Sequence, residues 1–259
     1  MPTAGVPPAR TTAYGNDPAQ VYDVRLPTGQ RSGATVIVVH GGFWRQEWDR
    51  EHAAPQAQGF ADAGHHVAVV EYRRTGMPGG GWPGTFQDVS AAVAAIRSDA
   101  TLPDRCLLVG HSAGGQLVAL VAAQPWAHGL AGAISLAGCV DLALSHEMDL
   151  GAGAVQAFLG GSRPAAADPS DGAHPDPWMD ADPALHVPAV PVVLVHGTED
   201  DTVPMAVSES YLARVGRSGE QHAEVALHGI RGAGHFQLID PRHPAFGAVL
   251  DLVATLARH

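Results

Sequence analysis

The chain has 259 residues, 46% of them hydrophobic, which is enough for one well-buried core, and 15 basic against 26 acidic residues give a formal net charge of −11. That balance, with no arginine stripe able to neutralise phosphates, argues against nucleic acid as a partner. Every basic residue is an arginine, so Schiff-base chemistry, a Ser-Lys dyad and a P-loop ATPase, each of which needs a lysine amine, are excluded.

The opening run MPTAGVPPARTTAYGNDPAQ has no apolar segment of the secretory type, and no later stretch is long enough to cross a bilayer. A soluble, cytoplasmic protein without a membrane partner is expected. Residues 1–19 are expected to be flexible and 20–259 to form one domain. Apolar, β-branched runs then predict strands over Val21–Leu26, Ala34–His40, His66–Tyr72, Cys106–Gly110, Gly132–Ala137, Pro191–His196 and His222–His228. Helices are predicted between or after them, over Arg50–Ala63, Thr85–Ser98, Ser112–Ala123, Met205–Val215 and Ala245–Ala257. Continuous runs such as TVIVV and PVVLV suit strands covered on both faces, so the alternation predicts an α/β fold with a mostly parallel, doubly wound sheet. One connection, Asp141–Pro188, is too long for a simple crossover and reads as a lid or cap-like insertion before the penultimate strand, with one helix around Ala152–Leu159.

The second strand, TVIVVH, runs into Gly41-Gly42-Phe43-Trp44, a loop suited to donating a backbone N–H to an oxyanion. Either Gly42 or Phe43 would supply that donor, with Gly41 shaping the turn. Further on, CLLVGHSAGGQLVAL places Ser112 between a buried strand and an apolar helix, flanked by Gly110 and Gly114. Glycines two residues either side of a serine relieve the crowding of such a turn, and the helix N-terminus favours developing negative charge. Ser112 is therefore the candidate nucleophile, and the N–H of Ala113 the second oxyanion donor.

A serine hydroxyl needs a histidine to take its proton and a carboxylate to fix that histidine's tautomer, and in this strand–helix order the acid precedes the base. PVVLVHGTEDDTVP ends a strand in an acidic loop whose spacing selects Asp200, with Asp201 and Glu199 as neighbours whose register decides. GIRGAGHFQL, after the last strand, supplies His235 as the general base. His65, His66, His146, His222 and His243 lack that placement and read as surface or packing residues. No HExxH, CxxC or comparable ligand pattern occurs, so neither a metal nor another cofactor is expected. Cys106 and Cys139 fall at opposite ends of neighbouring strands, which argues against a disulfide.

Taken in this order, HGGFW, GHSAGG, HGTEDDTVP and GAGHF resemble the α/β-hydrolase serine esterases, and the HGG-x-W form is similar to kynurenine formamidase and its bacterial acetylesterase-like relatives. The resemblance spans roughly residues 20–258, without a matching motif in Asp141–Pro188. It implies a Ser112–His235–Asp200 triad, an oxyanion region at Gly42, Phe43 and Ala113, and a small acyl or aryl ester as substrate. An N-formyl aryl amide is the first alternative, an aminopeptidase or a non-catalytic binding protein more remote ones. Trp44 and Trp82, with Phe43, Trp48, Trp178, Arg73 and Arg74, are candidates to line the pocket.

Overall fold

The computed structural model describes residues 6–162, 176–219, 221 and 223–258. In chain order the elements are β1 (Arg10–Ala13), β2 (Val21–Arg25), β3 (Thr35–Val39), α1 (Ala54–Asp62), β4 (His66–Val70), α2 (Gly84–Arg97), β5 (Cys106–His111), α3 (Ala113–Ala122), β6 (Gly132–Leu136), α4 (Leu142–Glu147), α5 (Ala154–Leu159), α6 (Pro177–Asp180), β7 (Val192–Gly197), α7 (Ala206–Arg217), β8 (Val225–Ile230) and α8 (Pro244–Arg258). The strands form one eight-stranded sheet in the order β1-β2-β4-β3-β5-β6-β7-β8. Only β1–β2 and β2–β4 are antiparallel; from β4 through β3 to β8 every pairing is parallel.

Alternation along the inner strands sends side chains into two cores. On one face Ile37, Val39 and Leu108 meet Val89 and Val93 of α2, Leu117 and Val121 of α3, and Val207 and Tyr211 of α7. On the other, Val36, Val38, Leu107 and Val109 meet Phe60 of α1 and Phe246, Val249 and Val253 of α8. Both faces being covered explains why TVIVV and VVLVHG are buried throughout. The doubly wound sheet expected from the sequence is thus present.

Three differences have physical causes. Arg10–Ala13, within the segment expected to be flexible, forms an edge strand: Thr11 and Ala13 are exposed, so RTTA has no apolar run to betray it. Residues 1–5 of that segment lie outside the described residues. The helix expected over Arg50–Ala63 opens as a 3-10 turn, Arg50–Ala53, capped by the Asp49 side chain, and becomes α-helical from Ala54, with a proline in the first turn where a missing N–H costs nothing. The insertion carries α4 and α6 besides the expected helix α5, each capped by an aspartate, Asp141 and Asp176. These are single turns or little more, below the length at which periodicity is visible. Residues 163–175 of the insertion, and His222 at the start of the last expected strand, lie outside the described residues.

Candidate active site

β5 delivers Ser112 directly onto α3 with φ 55° and ψ −118°, a conformation that costs a non-glycine residue on the order of 1–3 kcal/mol. The turn is held by Ser112 N–H donating to Leu136 O at 2.9 Å and Gly115 N–H donating to Ser112 O at 2.9 Å. Its glycines are compulsory for space. A Cβ on Gly110 would lie 2.1 Å from Gly114 O, one on Gly114 2.1 Å from Val39 O, and one on Gly115 2.6 Å from Ser135 Oγ. Cys139 N–H donates to Ser112 O at 3.3 Å, and burial pushes the Cys139 thiol up to about 12, so it stays protonated.

Asp200 follows β7 and is fully buried at its side chain. Oδ1 accepts from Thr202 N–H at 2.9 Å and Val203 N–H at 2.8 Å, and Oδ2 lies 2.8 Å from His235 Nδ1. His196 Nε2 is 3.5 Å from the same Oδ2, but its proton goes to Val203 O at 2.7 Å, the shorter contact. Burial alone would raise Asp200; the imidazoles of His196 and His235 and the Val203 N–H outweigh it and hold the carboxyl well below its ordinary range. An ionised Asp200 accepts only, so His235 Nδ1 carries a proton and Nε2 presents a lone pair. His235 is 4% exposed and, with Ser112, lines a cleft of about 70 Å³ completed by Gly42, Phe43, Trp48, His52, His111, Thr202 and Phe236.

The loop after β3 is set by backbone conformation: Gly42, Phe43 and Trp44 have φ of 111°, 51° and 55°. Gly41 lies against the elbow, where a Cβ would meet His111 O at 2.8 Å and Ser112 Cβ at 3.0 Å. Among the described residues the N–H groups of Gly42, Phe43 and Ala113 have no hydrogen-bond partner. Beneath the loop His40 Nδ1–H donates to Gly41 O at 2.8 Å, and His40 Nε2 lies 3.3 Å from Glu71. Glu71 also takes Arg50 N–H at 3.0 Å and pairs with Arg74. Burial would raise Glu71, but His40, the Arg50 N–H and Arg74 hold it below its usual value.

Ser112, Asp200, His235, Gly41, Gly42, Phe43 and Ala113 are therefore brought together. The two proposed tryptophans are not. Trp44 is fully buried, stacked on Phe158 at 4.6 Å with its Nε1–H donating to Gln116 at 3.0 Å. Its left-handed backbone turns the ring under the loop into the core. Trp82 stacks on Phe86 at 5.6 Å and sits against Phe158, and Trp178 is buried against His146. Arg73 is bound to Asp88 by its Nε and Nη2, and Arg74 to Glu71. Of the aromatic candidates Phe43 and Trp48 face the cleft. The cleft also takes in His52, His111, Thr202 and Phe236, of which Phe236, beside His235, alone carries a positional signal in the sequence. Asp201 is exposed and accepts only a 3.3 Å contact from Thr202. Among the described residues no group of three His, Cys, Asp or Glu side chains is placed to hold a metal ion, and no helix is long and apolar enough to cross a membrane. Cys106 and Cys139 are both free and buried.

A sheet of this order, with an acid after β7, a histidine after β8 and a strained serine on the β5–α3 turn, defines an α/β-hydrolase fold. Within that class the chain belongs to the BD-FAE family, whose model matches residues 22–214. Solved structures with the same fold include a truncated form of a carbohydrate esterase from gut microbiota, 19% identical over 97% of this chain and 97% of that one, TM-score 0.75. A thermophilic esterase from the Planctomycetes species Thermogutta terrifontis, solved with butyrate bound, is 19% identical over 96% of this chain and 93% of its own, TM-score 0.71. Esterase B from Lactobacillus rhamnosis, inhibited by a tributyrin phosphonate, is 20% identical over 98% and 89%, TM-score 0.75. No curated protein matches the chain.

Proposed function

We propose that the protein is a serine hydrolase of the carboxylesterase type that cleaves small acyl or aryl esters through an acyl-enzyme. The observation that carries this reading is the pairing of His235 Nδ1 with a buried, doubly N–H-bonded Asp200 at 2.8 Å, in the cleft that holds Ser112. In this reaction the Ser112 hydroxyl, which lines the same cleft as His235, turns its proton to the Nε2 lone pair. His235 takes the proton as Ser112 Oγ attacks the ester carbonyl, and Asp200 stabilises the imidazolium. The oxygen of the tetrahedral intermediate settles among the unpaired N–H groups of Ala113 and of Gly42 or Phe43, donors that need no reorganisation. His235 then gives its proton to the leaving alcohol, and a water activated by the same nitrogen releases the acid.

The esterases that share the fold support an ester bond over other acyl bonds. The aromatic walls of the narrow cleft, Phe43, Trp48 and Phe236, favour a second reading in which the same groups cleave an N-formyl aryl amide, as the likeness of HGGFW to kynurenine formamidase suggests. Turnover of p-nitrophenyl esters of rising chain length beside N-formylkynurenine separates the two. Stoichiometric fluorophosphonate labelling of the wild type, absent in Ser112→Ala, is the expected result for both. Undiminished turnover by Ser112→Ala contradicts them.

A further inference from the structure

His111 stands between Gly110 and Ser112, and its side chain joins the three loops of the cleft. The ring is 2% exposed and lies 4.5 Å from that of His235, 5.9 Å from Phe236 and 6.1 Å from His52, centroid to centroid. Its Nε2 is 3.0 Å from the His235 carbonyl oxygen. A carbonyl only accepts, so Nε2 carries the proton and Nδ1 a lone pair. Nδ1 is buried without a partner beside Gly41, where a Cβ would lie 3.1 Å from it. Burial, aided by the neighbouring His235, pushes the His111 pKa well below its ordinary value and keeps the ring neutral. Neutrality matters here, because a charged ring would oppose the imidazolium that forms on His235 at each proton transfer. The peptide group that His111 holds is that of His235 itself, so the bond fixes where the base's side chain begins relative to the serine one residue along the elbow.

From these contacts we propose that His111 is a positioning residue: its Nε2–H clamps the His235 main chain to the nucleophile turn, while its ring spaces the Gly41 loop from it. The inference rests on reading Ser112, Asp200 and His235 as a triad. Glutamine's amide nitrogen reaches about as far from the backbone as Nε2, whereas asparagine's falls a bond short. In His111→Asn, kcat for p-nitrophenyl acetate falls about thirtyfold or more with KM changed less than about twofold, and in His111→Gln most of the kcat is recovered. A readout independent of turnover is the downfield proton resonance of His235 Nδ1–H shared with Asp200, sharp in wild type and His111→Gln and lost to exchange in His111→Asn. Should the asparagine variant not fold, His111→Leu fills the space without a donor and is read in the same way. An asparagine or leucine variant that keeps wild-type kcat and the sharp resonance overturns the proposal, as does a glutamine variant as impaired as the asparagine one. A wild type that turns over no acyl substrate overturns the triad reading instead, and the resonance comparison still decides whether His111 positions His235.

Discussion

Asp200→Asn changes charge but not shape, and its surroundings dictate how the new side chain sits. The Thr202 and Val203 N–H groups, at 2.9 and 2.8 Å from Oδ1, retain the amide oxygen there and turn the NH2 toward His235 Nδ1. Two donors cannot face each other across the 2.8 Å that separates Oδ2 from Nδ1. His235 must then move its proton to Nε2, and the lone pair that would accept the Ser112 proton is gone. A base held in the wrong tautomer costs about 10⁴-fold in kcat, or about 5.5 kcal/mol of barrier. KM for p-nitrophenyl acetate is expected to change little, because the cleft walls are untouched. Asp201, exposed and one residue on, serves as the control: Asp201→Asn should keep kcat within about twofold. Steady-state kinetics on the three proteins, with thermal melts to confirm folding, is the assay. An Asp200→Asn enzyme with more than about a tenth of wild-type kcat, or an equal loss in Asp201→Asn, rules out Asp200 as the carboxylate that sets the His235 tautomer.

Trp44→Ala removes a fully buried ring stacked on Phe158 and leaves Gln116 Oε1 without its donor, so stability should fall by about 3–5 kcal/mol, seen as a melting temperature lower by roughly 10 °C. Gly114→Ala drives a Cβ to 2.1 Å from Val39 O and 2.6 Å from His40 O, both backbone. Helix α3 must shift off β3, and kcat should drop by about 100-fold or more even where the protein still folds, as checked by circular dichroism. Asp182 links the two ends of the insertion, accepting N–H bonds from Leu142, Ala143 and Ala184, and burial raises its pKa from 3.8 to about 6. Because the folded value is the higher one, its contribution to stability is present below about pH 4 and is lost as pH rises through about 6. That amounts to about 3 kcal/mol, visible in urea unfolding as a component absent from Asp182→Asn.

Much of the site was legible because its parts sit at strand ends, where local sequence is strongly constrained. Ser112 follows from glycines that no side chain could replace, and Asp200 and His235 from their places after β7 and β8. The long apolar runs identified the buried strands for the same reason, since both of their faces are covered. What escaped depended on contacts far apart in the chain. Trp44 belongs to a loop motif yet points into the core, because two successive left-handed residues reverse the chain there. The His40–Glu71–Arg74 cluster beneath the loop joins residues about thirty positions apart, and nothing in EYRRTG distinguishes those charges from surface ones. His111 reads as the variable residue of a motif until its 3.0 Å bond to the His235 carbonyl is seen. β1 escaped because RTTA is polar and pairs on one side only.

Trapping the covalent intermediate tests Ser112 as the nucleophile. Rapid acid quench of the protein mixed with p-nitrophenyl acetate, followed by peptide mass spectrometry, should reveal an acetyl group on the peptide that contains Ser112, formed in a burst equal to the enzyme concentration and missing from Ser112→Ala. Hydrolysis at the wild-type rate with no acetyl on Ser112, or with the label on another residue, would contradict it.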